Sequence, residues 1–144
     1  MIRATLDVNV LVSGLPASRG VPAELIARWL RREFALVVSD HILAEAAEAW
    51  EQPYWARRFS TAQVAEAIAL LRERAIVVRP VTTVHGVGED EDDDLVIATA
   101  VGGDAQHLVT GDKALQTLLR FGGIDIVSPR QFLDRLDRER AGKH

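Results

Sequence analysis

The chain contains no cysteine. Disulfides, thiolate-bound zinc and cysteine nucleophiles are therefore excluded. It has no apolar run approaching the ~18 residues of a membrane span, so no membrane partner is expected. No basic start leads into an apolar stretch, so secretion is not expected and a cytoplasmic location is. An excess of positive charge is also missing: 17 Lys and Arg stand against 21 Asp and Glu, a formal net charge of −4. That is not the balance of a protein that grips nucleic acid by bulk electrostatics.

What is present is a core-forming composition. With 48% hydrophobic residues in 144, the chain is long and apolar enough for one folded domain. The expected organisation is a single domain over 1–138 and a polar tail at 139–144. Short apolar runs at 2–6, 35–38, 75–78, 107–109 and 124–127 read as strands. Helices are expected at 21–34, 40–50, 61–74, 93–101, 112–120 and 129–138, with a short helix or turn at 54–59. Pro22, Ser39, Ser60 and Pro129 mark starts. Pro53 and the pairs Gly102-Gly103 and Gly122-Gly123 mark stops. Ser13, Gly14 and Pro16 read as a loop, and 81–88 as irregular. The alternation predicts a three-layer α/β/α fold around a central, mostly parallel five-stranded sheet.

Acidic residues fall at the punctuation points of that pattern. Asp7 ends the first strand, and Asp112 follows the strand at 107–109. Asp93 sits in the run 89–94, just before an apolar helix. Glu45 lies one or two turns into the helix after the second strand. At ~100° per residue, Ile42, Leu43, Ala46, Ala47 and Trp50 define that helix's buried face. Glu45 borders it; Glu48 points roughly opposite, and Glu51 is about 9 Å farther along the axis. In a parallel sheet the crevice lies at the carboxyl ends of the strands, where these four acids converge. Converging carboxylates stay ionised only if a cation joins them. Their oxygens suit Mg²⁺ or Mn²⁺, and such an ion activates water for phosphodiester hydrolysis.

The segments that carry these acids resemble the PIN domain, a family of metal-dependent ribonucleases that includes VapC-type toxins. The resemblance rests on L-D-V-N-V-L-V-S at 6–13, S-D-H-I-L-A-E at 39–45, D-E-D-D-D-L-V-I-A-T-A at 90–100, L-V-T-G-D-K-A-L at 108–115 and I-V-S-P-R-Q-F-L at 126–133. It implies Asp7, Glu45, Asp93 and Asp112 as metal ligands, and Asn9 and Thr110 as supporting or substrate-orienting groups. Lys113 is a further candidate for contact with the substrate backbone. It also implies an RNA substrate and the toxin role of a toxin–antitoxin pair, and leaves a protein antitoxin and a homodimer open as partners. One departure stands out: many relatives carry an acid two residues after the Asp112 position, and here it is Ala114. Asp90 or Asp92 could replace it.

Rival readings differ in chemistry. A phosphatase using an aspartyl nucleophile needs an acid where this chain has Asn9, and a receiver domain needs a phosphoacceptor where the third strand runs into Arg79-Pro80. An interaction module on the same fold, without activity, is the non-enzymatic alternative. Bland roles exist for single residues: a turn for Asn9, strand-end packing for Thr110, helix caps for Asp7 and Asp112, and a solvated helix face for Arg28, Arg31 and Arg32. His41, His85, His107 and His144 show no ligand spacing, and Trp29, Trp50 and Trp55 read as core or interface residues rather than base-stacking platforms.

Overall fold

A computed structural model describes residues 1–17, 19–80 and 84–142. Part of the segment expected to be irregular, 81–83, and the end of the tail, 143–144, lie outside the described residues.

The strands are β1 (Arg3–Leu6), β2 (Ala35–Ser39), β3 (Ile76–Val78), β4 (His107–Val109), β5 (Arg120–Phe121) and β6 (Ile124–Val127). They form one sheet in the order β3-β2-β1-β4-β6-β5. All neighbours pair in parallel except β5 with β6. The helices are α1 (Val8–Gly14), α2 (Val21–Leu30), α3 (Asp40–Trp50), α4 (Pro53–Ala56), α5 (Thr61–Arg74), α6 (Glu91–Gly102), α7 (Lys113–Gln116) and α8 (Pro129–Ala141). The sheet is mostly parallel and flanked by helices, as a three-layer α/β/α architecture requires.

Strand composition follows position. Ala4, Thr5 and Leu6 of central β1 are all fully buried, so alternation is absent. At the edge, Val77 of β3 is exposed. The chain winds outward from β1 through β2 to β3, then returns to lay β4 on β1's other side. The β1–β4 boundary is therefore the topological switch point, where the loops diverge and leave a crevice.

Four expectations are corrected. The sheet has six strands rather than five, because β5 folds back on β6 as a two-residue antiparallel edge. That strand takes the end of the helix expected over 112–120; α7 stops at Gln116, and Leu119 turns the chain with a φ of 60°. The segment with Ser13 and Gly14, expected as a loop, is helical instead: α1 packs on α2 and α3, and tertiary contact overrides the weak local signal. Finally, α8 continues to Ala141, so the tail expected from Glu139 begins as helix.

Arg28 is not on a solvated face. Its guanidinium is buried and pairs with Glu24 at 2.9 Å, Glu33 at 3.1 Å and Asp137 at 2.9 Å, tying α2 to α8. A buried cation needs such partners to offset its desolvation. His107 is a strand residue, as expected, with its ring 5.2 Å from that of Phe132.

Trp50 anchors the helices that carry the crevice. It is 1% exposed, packs 5.3 Å from Phe59, and its indole N–H donates to the Val12 carbonyl at 3.2 Å. The contact joins α3 to α1. Trp50→Ala should cost about 3–5 kcal/mol through the cavity it leaves, read as a lower midpoint in urea unfolding followed by circular dichroism. Trp50→Phe, which keeps most of the apolar volume, should cost much less.

Candidate metal centre

Each candidate acid is set by a local feature of its element. Asp7 follows β1, and its own N–H continues the ladder to the Val109 carbonyl at 2.8 Å. Its side chain caps α1, with Oδ1 accepting from the Val8 N–H at 2.7 Å. Oδ2 accepts from the Thr110 hydroxyl at 2.7 Å. Asp112 caps α7: Oδ1 accepts from the Ala114 N–H at 2.9 Å and the Leu115 N–H at 3.4 Å. Its Oδ2 takes no hydrogen bond among the described residues.

Thr110 joins the two. It is fully buried, donates to Asp7, and accepts from the Asp112 N–H at 3.0 Å. Its carbonyl accepts from the Gln116 amide at 2.7 Å. The hydroxyl's single donor and an acceptor site are thus used to fix two acids from neighbouring loops.

Glu45 is delivered by α3, whose start is capped by Ser39: Oγ accepts from the Ile42 N–H at 3.4 Å. The Ser39 hydroxyl also meets that of Thr99 at 2.8 Å, locking α3 to α6. Asp93 lies in the first turn of α6, which Asp90 caps by accepting the Asp93 N–H at 2.9 Å. Gly88 sits against Asp93: a Cβ there would lie 2.3 Å from the Asp93 Cβ, so no larger residue fits without moving the acid.

These acids come together. A cavity of about 380 Å³ is lined by Asp7, Asn9, Glu45, Asp92, Asp93 and Asp112, among others. Larger cavities at the other end of the sheet are lined by Met1 and Arg32, and their acids, Glu73 in one and Glu33 and Glu139 in the other, stand among arginines. Thr110 is buried beneath the crevice and Lys113 is exposed outside it, so neither lines the cavity. Asn9 is exposed at the rim, with its amide free of hydrogen bonds among the described residues. Glu48 is solvated, as expected, yet it reaches the rim rather than pointing away, because i and i+3 residues are neighbours on a helix. The basic trio Arg28, Arg31 and Arg32 stands away from this crevice.

The acidic run divides its labour. Asp92 and Asp93 face the cavity, while Asp90 caps the helix. Asp94 turns away and is buried, accepting the N–H groups of Gly86, Val87 and Gly88 at 2.7, 2.9 and 2.7 Å. Those bonds, the Gly88 one foremost, hold its carboxyl below the usual carboxylate range.

Sequence reading missed His41. Its Nε2 is 3.4 Å from Asp92 Oδ1, and it lines the same cavity. Among the described residues, the set of three potential ligand atoms lying within 4.8 Å of one another is His41, Glu45 and Asp92. Asp7, Asp93 and Asp112 share the cavity without forming such a set. The available signal was the i, i+4 spacing of His41 and Glu45 on one helical stripe.

Burial, and to a lesser extent neighbouring charge, disfavours the ionised form of two of these carboxyls. Burial pushes the Asp7 carboxyl up from its ordinary 3.8, against the lowering effect of Thr110 and Val8, and the charges of Asp112 and Asp90 push it further. Asp93 is raised by desolvation, then by Asp90, Asp112 and Asp7. Oxygen donors in this state suit a hard divalent cation.

The PIN domain family matches residues 3–114 of the chain. The chain belongs to the PIN domain family. No curated protein matches it. Among solved structures, this PIN domain is similar to VapBC2 from Rickettsia felis, bound to a DNA fragment from its promoter: TM-score 0.60, 14% identity, covering 88% of this chain and 98% of that one. It is also similar to VapBC-1 from nontypeable Haemophilus influenzae: TM-score 0.59, 21% identity, covering 90% and 99%. At these identities the likeness concerns the fold. No described helix of this PIN domain is long and apolar enough to cross a membrane.

Two outcomes are expected. The first concerns pH. A carboxyl whose folded pKa is raised costs the native state nothing well below 3.8; the cost grows as pH rises from there to the raised value and is constant above it. Asp7→Asn keeps the cap and removes the charge. The metal-free variant should therefore melt a few degrees above metal-free wild type at pH 7, and the gap should close toward pH 3.5 or so, checked by calorimetry in chelator. The second concerns Thr110. Thr110→Val leaves the Asp7 Oδ2 and the Asp112 N–H without their partner and should cost about 1–3 kcal/mol in urea unfolding.

Proposed function

We propose that this chain is a divalent-metal-dependent endoribonuclease, the toxin member of a toxin–antitoxin pair. The observation that carries the reading is the convergence of Asp7, Glu45, Asp93 and Asp112, from four separate elements, on one cavity at the switch point of the sheet. The raised carboxyls of Asp7 and Asp93 support it: burial first, and the neighbouring carboxylates second, disfavour their ionised forms, a cost that a bound cation offsets.

Asp7, Glu45, Asp93 and Asp112 would hold the ion. Bound there, Mg²⁺ or Mn²⁺ supplies charge that lets an acidic crevice accept a polyanion and lowers the pKa of water. The chain's own residues do the positioning. Thr110 fixes the rotamer of Asp7 and the backbone of Asp112, and being buried it acts through them. The free amide of Asn9 at the rim orients a phosphate oxygen or the attacking water. Lys113, exposed beside Asp112, contacts the substrate backbone outside the cavity. Hydrolysis leaves a 5′-phosphate and a 3′-hydroxyl if it follows the family chemistry that the sequence resembles. Likeness to two VapBC structures supports a protein antitoxin as partner, a segment of which would cover this crevice.

The test is Mn²⁺ titration against an end-labelled RNA, with cleavage products mapped. Wild type should cut in a saturable, metal-dependent manner, and Asp7→Asn should lower the rate by about 10²-fold or more. Equal cleavage by Asp7→Asn would refute the assigned centre, and no cleavage by wild type across the titration would favour an interaction module on the same fold.

A further inference from the structure

We infer that His41, Glu45 and Asp92 form a second cation position at the mouth of the acidic cavity, one that selects a borderline transition-metal ion such as Zn²⁺ over Mg²⁺. The ion-binding claim stands on these three residues; its place beside a reacting phosphate rests on the nuclease reading above.

Three observations carry it. His41, Glu45 and Asp92 each offer a donor atom, and all three lie within 4.8 Å of one another. The His41 Nε2–Asp92 Oδ1 separation is 3.4 Å. Donors bound tetrahedrally at ~2.1 Å stand about 3.4 Å apart, so these two already have the spacing of ligands on one ion. The third observation is that His41 Nε2 is buried and makes no hydrogen bond among the described residues, although Asp92 is close. A buried ring nitrogen without a partner is costly unless something else satisfies it.

The position is built from two rigid elements. His41 and Glu45 lie one turn apart on α3, which Ser39 caps and Trp50 anchors. Asp92 comes from the first turn of α6, which the Ser39–Thr99 contact fastens to the start of α3. The spacing across the mouth is therefore set by the fold and not by mobile side chains alone. A donor set of one imidazole and two carboxylates differs in kind from the all-carboxylate centre next to it. Imidazole nitrogen favours zinc and its neighbours, whereas oxygen-only sets suit magnesium and manganese. Two chemically distinct positions thus share Glu45, whose two oxygens can serve both.

The experiment uses the full chain with Zn²⁺ as probe, titrated by calorimetry and followed by long-range ¹H–¹⁵N spectra of the histidine rings. In wild type, one ring's Nε2 signal should shift on binding, and His41→Gln should remove that signal. His41→Gln and Asp92→Asn should each weaken Zn²⁺ binding about tenfold or more, with Mg²⁺ binding little changed by His41→Gln. Asp92→Asn sits on the other helix, and circular dichroism and a urea midpoint matching wild type in both variants exclude a folding defect. Unaltered Zn²⁺ affinity in both variants would overturn the inference. So would a His41 ring that responds to pH but not to Zn²⁺, the signature of a bare ion pair with Asp92. The two readings separate cleanly: Asp7→Asn should slow cleavage by about 10²-fold or more while leaving the His41 shift in place. A shifted His41 in a protein that cuts no RNA would keep this inference and end the nuclease one.

Discussion

The Thr110 hydroxyl ties together the two loops between which the crevice opens. The end of β1 and the end of β4 diverge at the switch point, and each carries a carboxylate. Left alone, those charges would drive the loops apart. One buried hydroxyl holds them, donating to Asp7 at 2.7 Å and accepting from the Asp112 backbone at 3.0 Å. Because Thr110 is itself in the β4–β6 ladder, with its N–H on the Val127 carbonyl, the geometry of the acids is referred back to the sheet.

A second economy follows from helix capping. Asp7, Asp90 and Asp112 each satisfy backbone N–H groups at the start of a helix. Capping occupies one oxygen and suits a negative charge at the positive end of the helix. The other oxygen of Asp112 stays available. Folding therefore keeps these carboxylates in place before any cation arrives, and the same acids are candidates for structure and for chemistry without conflict.

Much of this was legible from residue order. That Asp7, Glu45, Asp93 and Asp112 line one cavity was legible because strand ends are visible in short apolar runs, and a parallel sheet sends those ends to one edge. Glu45 could be chosen over Glu51 by helical rise alone. Other features were not legible. The helix Val8–Gly14 contains turn-forming residues and is held by packing on α2 and α3, which no local window reports. The strand Arg120–Phe121 is too short to leave a pattern. Arg28 looked like one of three surface arginines because its partners Glu33 and Asp137 come from beyond its own helix. His41 escaped notice for a related reason: half of its surroundings, Asp92, is distant in the chain.

The neighbours Asp93 and Asp94 show what length means in the acidic run. One faces the cavity and the other clasps the loop at 86–88, because adjacent helix positions differ by about 100°. Composition in this stretch is thus less important than phase. Because residues 92–94 are all aspartate, inserting one more would keep an aspartate at both the clasp and the crevice positions and would displace only the Asp90 cap and the loop before it. Homologues with longer or shorter acidic runs should be aligned from the helix inward, with gaps placed before the cap rather than within the first turn.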